Sequence, residues 1–282
     1  MGNFWKITVA GLLLCFGAIT AGAQGKIETK KYKIRDLQEK ITKVVMTENV
    51  FIDGALRQDV VEHWHISPFE ICTLEEFKTL RTDANYYFLL VVSGQFSGEM
   101  EPGIDFLSFV KGGPEAEEGI GEMTEVVSLP FSVPGGNGRE IALIPSFLEI
   151  IQDFALRAME RDLEGYQGLS LYNRNLPKIR HKTILFSEDD LSERISPLDK
   201  SGTRVRIVED DEADDAVLNC TPGTVVSYTV APKVPSATSR CYKMLIGTDN
   251  HVLYYFKRHR ITGKTGNGFT LQEFKSISAK AQ

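Results

Sequence analysis

Two histidines and a cysteine lie close together in the sequence and have side chains that could do chemistry. His63 and His65 flank Trp64, and Cys72 follows shortly after them. A thiol beside an imidazole can act as a nucleophile, and both groups bind zinc. Zinc needs three or four ligands in fixed geometry, and no C-x-x-C or H-E-x-x-H pattern occurs nearby. We therefore predict no metal site and keep His63, His65 and Cys72 as candidate ligand-binding residues.

Several familiar motifs fail at a residue that their chemistry requires. Gly263-Lys264-Thr265 would need a glycine at position 258 to wrap a phosphate, and that residue is Arg258. The acidic run 209–215 lacks the central glycine of a calcium loop and is read as a solvated loop or a helix start. The glycine cluster 134–138 is followed by strand-like sequence, so it predicts a mobile loop that could close over a pocket. These patterns predict no cofactor, and they leave open whether the protein is an enzyme.

The first 23 residues have the pattern of a secretory signal peptide. Lys6 gives a positive start, an apolar stretch runs from Ile7 to Ile19, and the small residues Ala21-Gly22-Ala23 precede Gln24. The apolar stretch is shorter than the roughly 20 residues that a membrane-spanning helix needs. We expect cleavage after residue 23, export to the periplasm or the extracellular space, and no transmembrane segment in the mature chain.

Three cysteines remain after cleavage, and an oxidising compartment would allow a disulfide. Cys220 ends an apolar segment and Cys241 begins another, which makes them the candidate pair between antiparallel neighbours. The alternative is three unpaired buried thiols, because cysteine packs as a small hydrophobic residue. In either case Cys72 stays unpaired.

The charge balance argues against a nucleic-acid partner. The formal net charge is −6 for the whole chain, and it becomes more negative when the leader, with one Lys and no acid, is removed. Binding to nucleic acid or to an anionic membrane needs a basic patch that releases counterions. The sequence therefore favours a protein or small-molecule partner.

The apolar run 86–93 is the strongest structural signal in the chain. It does not alternate between polar and apolar residues, which predicts a central strand covered on both faces. Helices are predicted at 54–64, 74–82 and 146–163, the last from apolar residues spaced three and four apart. They should flank the sheet that contains the run.

Four weaker patterns complete the expected elements. A helix-like period covers 34–45, Asp53 is placed as the N-cap of the next helix, and 140–144 is read as a short strand ending before Pro145. A tight turn at 248–250 should join two strands into a hairpin. Residue-by-residue comparison of the chain with itself finds no internal repeat.

Together these elements predict an α/β fold, with a mixed α+β fold as the alternative. We expect a layered sandwich in which a central mixed sheet is flanked by helices and the C-terminal part is richer in β-structure. Residues 24–282 should form a single domain, with a subdivision into 24–176 and 177–282 as the alternative.

Core patterning without a catalytic motif favours a non-catalytic envelope or secreted protein that binds a partner or small ligand. The candidate surface is the glycine-rich region 94–138. The alternative is a hydrolase that acts on an envelope or extracellular polymer through carboxylates or Cys72. A pocket with inward carboxylates, at least one with a shifted pKa, would favour the hydrolase.

Overall fold

The computed structural model describes residues 33–192, 195 and 204–282, so the leader predicted at 1–23 lies outside the described residues. Ten strands form two five-stranded mixed sheets in this part of the chain, accompanied by six α-helices. The predicted α/β class is confirmed. The structure has two sheets where the sequence analysis predicted one central sheet.

The first sheet has the strand order β2-β1-β3-β4-β5. Its strands are β1 (Ile41–Val45), β2 (Phe69–Cys72), β3 (Tyr86–Gly94), β4 (Ile104–Lys111) and β5 (Thr124–Ser132). Four helices accompany it: α1 (Val50–His63), α2 (Leu74–Leu80), α3 (Arg139–Glu160) and α4 (Asp162–Gln167). The strands β1, β2 and β3 are parallel, and β4 and β5 continue the sheet as antiparallel neighbours.

The second sheet has the order β7-β6-β8-β9-β10. Its elements are β6 (Thr183–Ser187), β7 (Val205–Val208), α5 (Asp210–Leu218), β8 (Thr224–Val230), β9 (Arg240–Gly247), β10 (Leu253–Arg260) and α6 (Leu271–Ala281). The turn at 248–250 joins β9 and β10 into an antiparallel hairpin, as predicted. The division of the chain at residue 176 stays a prediction, and the second sheet begins just beyond that point.

The two sheets repeat one topology with the same register. In the first sheet Lys43 of β1 pairs with Glu70 of β2 and Phe88 of β3. In the second sheet the third residue of β6, Leu185, pairs with Arg206 of β7 and Val226 of β8 at the equivalent positions. The strand directions also agree throughout. The chain therefore contains an internal structural repeat that comparison of residue identities does not show.

The central strand of the first sheet is β3, as the apolar run predicts. Tyr87 and Leu89 point into the core that contains α1 and α3. Phe88 points to the other face and meets Phe77 of α2, with ring centroids 5.0 Å apart. Burial on both faces explains why this strand shows no polar alternation.

The helix α3 lies between the two sheets and joins their cores. Phe147 of α3 contacts Phe131 of β5 and Tyr228 of β8, with ring centroids 5.7 Å apart in both pairs. The Tyr228 hydroxyl donates a 2.6 Å hydrogen bond to the backbone oxygen of Phe131. The N-terminal half of α3 is consequently held at the boundary between the two sheets.

Two predicted elements near these helices are wrong. Residues 140–144 belong to α3, and Pro145 lies inside the helix instead of opening it. Proline is favoured at a helix start, which predicts that Pro145 opens the helix, but burial of the α3 face between two sheets outweighs the one lost backbone bond. The helix predicted over 34–45 is a short 3₁₀ turn at 37–39 followed by β1, which is paired on both sides by parallel strands.

The start of α1 is also shifted from its predicted position. Asn49 is the N-cap, and its side chain accepts hydrogen bonds from the backbone N–H groups of Phe51 and Ile52. Asp53 lies one turn into the helix and accepts bonds from the N–H and hydroxyl of Thr47. Both residues are good caps by type, but Asn49 has the extended backbone of an N-cap, whereas the Asp53 N–H already donates to the Asn49 carbonyl as part of the helix. Among the described residues, no helix is long and apolar enough to span a bilayer.

Candidate functional site

A cavity of about 420 Å³ opens where the start of α3 meets the carboxyl ends of β6 and β8. In open α/β sheets this is the usual place for a ligand, because the connections after two neighbouring parallel strands leave in opposite directions. Here β6 connects toward β7 and β8 connects toward β9. The walls come from Val133, Gly135, Gly136, Asn137, Arg139, Glu140, Asp189, Asp190, Asp210, Tyr228, Thr229, Val230, Ala231, Lys233 and Asn267.

One wall is the glycine loop 134–138, which follows β5. Gly135 and Gly138 have backbone φ angles of 62° and 88°, which favour glycine over other residues. The Asn137 side chain donates a 2.6 Å hydrogen bond to Asp210, and Lys233 donates to the backbone oxygen of Gly135. The loop therefore lines the cavity, and these two bonds tie it to the second half of the chain.

The first residue of α3, Arg139, holds the carboxylates behind the cavity. Its Nε lies 3.0 Å from Asp214, and its Nη1 lies 3.3 Å from Asp190 and 3.4 Å from Asp210. Its Nη2 donates to the backbone oxygen of Ser227. Burial opposes the charge on Arg139, but the attraction of Asp190, Asp214 and Asp210 outweighs it, so the guanidinium pKa is raised. The guanidinium is fully engaged by protein groups.

The carboxyl group of Asp190 is almost completely buried. Its Oδ2 accepts a 2.6 Å hydrogen bond from the Ser227 hydroxyl as well as the bond from Arg139. Burial raises the pKa of Asp190 against the opposing attraction of Arg139. The backbone oxygen of Asp190 accepts a hydrogen bond from the backbone N–H of Phe269. Gly268 packs so closely that a Cβ at that position would lie 2.3 Å from the same backbone oxygen.

Glu140, the second residue of α3, differs from these carboxylates because it has no cationic partner. Only 8% of its surface is exposed, and it lines the cavity. Among the described residues, no group other than its own backbone N–H hydrogen-bonds or ion-pairs with its carboxylate. Burial raises the pKa of Glu140, and the neighbouring carboxylates of Asp105 and Asp214 raise it further. A hydrogen bond from the backbone N–H of Glu140 itself acts in the opposite direction and lowers the pKa.

The cavity therefore has an excess of negative charge. Its lining contains four carboxylates, from Glu140, Asp189, Asp190 and Asp210, and two cationic side chains. Arg139 is paired with three aspartates, whereas the exposed Lys233 donates to the neutral carbonyl of Gly135, so the carboxylates outnumber the cations. The arrangement can accept positive charge or hydrogen-bond donors from a ligand.

The structure places His63 and His65 at a distance from this cavity. His63 ends α1, where its ring meets His251 at 5.4 Å and its Nδ1 lies 3.5 Å from Glu149. His65 is exposed, and its backbone N–H donates to Gln152. Trp64 between them is buried against Phe109.

Cys72 is buried at the end of β2, in the core on the α2 side of the first sheet, away from both histidines. Its thiol donates to the backbone oxygen of Thr73. Burial, with the nearby Glu76, raises the pKa of Cys72 to about 11, so it is a neutral thiol near pH 7. Nothing in the described ranges groups three or more His, Cys, Asp or Glu side chains suitably for a metal ion.

The candidate disulfide between Cys220 and Cys241 is wrong for this structure, which leaves Cys72, Cys220 and Cys241 as free thiols. Cys220 precedes β8 and Cys241 lies near the start of β9. Because β8 and β9 are antiparallel, with Val225 beside Gly247 and Val230 beside Tyr242, the two cysteines lie at opposite ends of the strand pair. Cys241 instead accepts a hydrogen bond from Gly268 N.

Sequence reasoning did not find the residues that build the cavity. The acidic run 209–215 predicts a solvated loop or a helix start, and it does begin α5, but Asp210 and Asp214 within it bind Arg139. The available signal was the glycine loop 134–138, interpreted as a pocket-closing loop, since Arg139 and Glu140 follow it directly. Comparisons of the chain with protein-family models, with curated proteins and with solved structures find no match.

Proposed function

We propose that this chain is a non-catalytic binding protein of the cell envelope or the extracellular space, and that it holds a small ligand in the cavity between its two sheets. The observation that carries the proposal is Glu140, a buried carboxylate that faces the cavity without a cationic partner. A buried charge without a partner costs free energy, so proteins keep one where a ligand or reaction uses it. The cavity volume of about 420 Å³ lies in the range of small-molecule sites.

The alternative, a hydrolase of an envelope or extracellular polymer, is supported by the raised pKa of Glu140, which suits a general acid. Glycoside hydrolysis by two carboxylates needs a second free carboxylate. Asp190, Asp210 and Asp214 are bound to Arg139, which leaves Asp189 at the exposed rim for that role. Cys72 is a neutral buried thiol and offers no nucleophile. Binding is therefore the better supported function.

Filling the cavity should abolish ligand retention. Ala231 lines the cavity and is half-buried, so Ala231→Trp should occupy it, whereas Ala237→Trp, at an exposed position, is the matched control. Each purified protein is incubated with the low-molecular-weight extract of the cells that produce it, filtered, denatured and analysed by mass spectrometry. We expect a compound retained unchanged by the wild type and by Ala237→Trp, but at least tenfold less by Ala231→Trp.

Two results would contradict the binding proposal. Retention of nothing by the wild type, or equal retention by Ala231→Trp, would show that the cavity is not a binding site. Conversion of the compound into products by the wild type would support the hydrolase instead.

The export part of the proposal depends on the leader pattern at residues 1–23. We expect the mature protein to begin at Gln24, because a small-residue site precedes it. N-terminal sequencing of the protein isolated from its own cells, together with fractionation, measures this. Protein that keeps Met1 and stays with the cytoplasmic fraction would contradict export.

A further inference from the structure

We propose that the ligand of this cavity carries a positively charged nitrogen, a primary ammonium group, and that this nitrogen pairs with Glu140. The inference rests on the proposed binding function and names the chemical class of its ligand. It follows from which buried charges in the cavity have a partner of opposite charge and which buried charge does not.

The buried cation of the cavity wall, Arg139, is not available to an anionic ligand. Each guanidinium nitrogen of Arg139 has a protein partner. Nε contacts Asp214, Nη1 contacts Asp190 and Asp210, and Nη2 donates to the Ser227 carbonyl. Lys233 is bound to the Gly135 carbonyl. Because that carbonyl is neutral, Lys233 keeps its charge at the exposed rim. A phosphate or carboxylate group that reached Lys233 would still face the carboxylates of Glu140, Asp189, Asp190 and Asp210.

Two carboxylates in the described part of the wall have no cationic partner, Asp189 at the exposed rim and Glu140, and of these Glu140 is the buried one. It is more than nine-tenths buried, it lines the cavity, and the other charges that act on it are the carboxylates of Asp105 and Asp214. Burial and like charge both disfavour its ionised form. A ligand ammonium beside it would reverse both effects by supplying an opposite charge and hydrogen-bond donors.

The remaining wall groups suit an organic cation better than a metal ion. The Asn267 side chain and the hydroxyl of Thr229 can bind polar parts of a ligand, and Val133 and Val230 offer apolar contact. A metal ion would need three or more converging ligands, and no such His, Cys, Asp or Glu group occurs in the part of the chain that the structure covers. Glu140 by itself can serve a single ammonium group.

Matched pairs of probes test the charge requirement. Isothermal titration compares 1,4-diaminobutane with 1,4-butanediol, tyramine with tyrosol, and glucosamine with glucose. The proteins are the wild type, Glu140→Gln, and Glu122→Gln as a control at an exposed glutamate. We expect the wild type and Glu122→Gln to bind at least one amine more than tenfold tighter than its neutral counterpart, and Glu140→Gln to lose that preference.

The stability of the free variant separates a lost ligand contact from a damaged fold. A carboxyl whose pKa is higher in the folded than in the unfolded protein reduces the stability of the fold once the pH exceeds the unfolded pKa. Replacing such a carboxyl should therefore not weaken the protein at pH 7. We expect Glu140→Gln to melt at or above the wild-type temperature while it loses amine binding. A lower melting temperature would show that Glu140 is a structural group and would overturn the inference.

The inference and the binding function fail in different ways. If no amine binds better than its neutral counterpart, or if the preference survives in Glu140→Gln, the ammonium proposal is wrong. Retention of an uncharged or acidic compound by the wild type, sensitive to Ala231→Trp, would then leave the binding function intact. An extract from which nothing is retained would reject the function itself.

Discussion

Arg139→Met is expected to lower the free energy of unfolding by about 3–5 kcal/mol at pH 7, because removal of one partner of a buried ion pair leaves an uncompensated charge. Asp190 would lose the cation 3.3 Å away, and Asp214 the one 3.0 Å away. The loss is a large part of the total stability of an ordinary domain, which is about 5–15 kcal/mol. Urea denaturation followed by circular dichroism measures it.

The deficit of Arg139→Met should depend on pH in a defined direction. Without the guanidinium, the pKa of Asp190 in the folded state rises further above its unfolded value. Ionisation of Asp190 then costs folding stability as the pH rises from the unfolded pKa toward the folded pKa. The stability lost in Arg139→Met should therefore be smaller at pH 5 than at pH 7. The double variant Arg139→Met with Asp190→Asn should recover part of the loss at pH 7.

The matched control is Arg161→Met, just beyond the far end of α3. The Arg161 side chain is 74% exposed and its nearest carboxylate, on Glu164, is 3.9 Å away. Surface ion pairs contribute little to stability, so this variant should remain close to the wild type. Equal stability of the Arg139 and Arg161 variants would refute a structural role for the Arg139 cluster.

Glu273→Gln is expected to have a comparable effect in the second half of the chain. Lys243 is fully buried, and its Nζ lies 2.5 Å from Glu273 Oε2. Glu273 also accepts from Lys257 at 2.9 Å and from the hydroxyl of Tyr255, and it closes the capping box of α6 with Thr270. The variant leaves the buried ammonium of Lys243 without its counterion, for an expected loss of about 3–5 kcal/mol.

Acid titration gives this prediction a second readout. Burial tends to raise the pKa of Glu273, but the bonds from Lys243, Lys257 and Thr270 outweigh it and lower the pKa to about 2. A carboxyl whose pKa is depressed on folding contributes stability above its unfolded value, about 4.3, and loses it as pH falls toward 2. The wild type should lose stability across this window, and Glu273→Gln should lack that component.

Raising the pH should reduce the stability deficit of Glu273→Gln relative to the wild type. Burial lowers the pKa of Lys243 even with Glu273 present, and it should fall further without the carboxylate. A lysine with a depressed folded pKa gains relative stability as pH rises, so the deficit of Glu273→Gln should narrow above pH 8. Glu75→Gln, which breaks an exposed pair with Lys78 in α2, should show neither trend. Parallel pH profiles for the two variants would contradict the role assigned to the buried pair.

The elements that the sequence predicts well are those whose burial follows from local pattern. The run 86–93 has no polar face, and it is the central strand β3 with a core on each side. The helices predicted at 54–64, 74–82 and 146–163 exist, with boundaries at 50–63, 74–80 and 139–160. Amphipathic spacing identifies a helix, whereas its ends depend on caps and neighbours.

The repeated topology could not be read from residue identities. Equivalent positions in the two sheets carry different residues, such as Lys43 and Leu185, because the first lies beside Glu70 and the second is buried in the core shared with α3. The register conserves backbone pairing and the direction of each strand, which constrain side-chain size and polarity only loosely. A repeat of this kind becomes visible only when the strand order is known.

The candidate site escaped prediction because its residues are distant in sequence. Arg139 bonds to Asp190, 51 positions away, and to Asp214, 75 positions away. No motif links them, and each type has an ordinary surface role when read alone. The disulfide error has a similar origin, since the pairing of Cys220 with Cys241 depended on which ends of β8 and β9 meet.

The most direct measurement is a carbon-13 NMR titration of the Glu140 carboxyl, assigned with Glu140→Gln, in the free protein and with the tightest-binding amine probe. We expect the pKa of Glu140 to be raised above the ordinary glutamate range in the free protein and to fall when the ammonium binds. An ordinary pKa that no amine changes would contradict a buried, unpaired carboxylate facing the cavity.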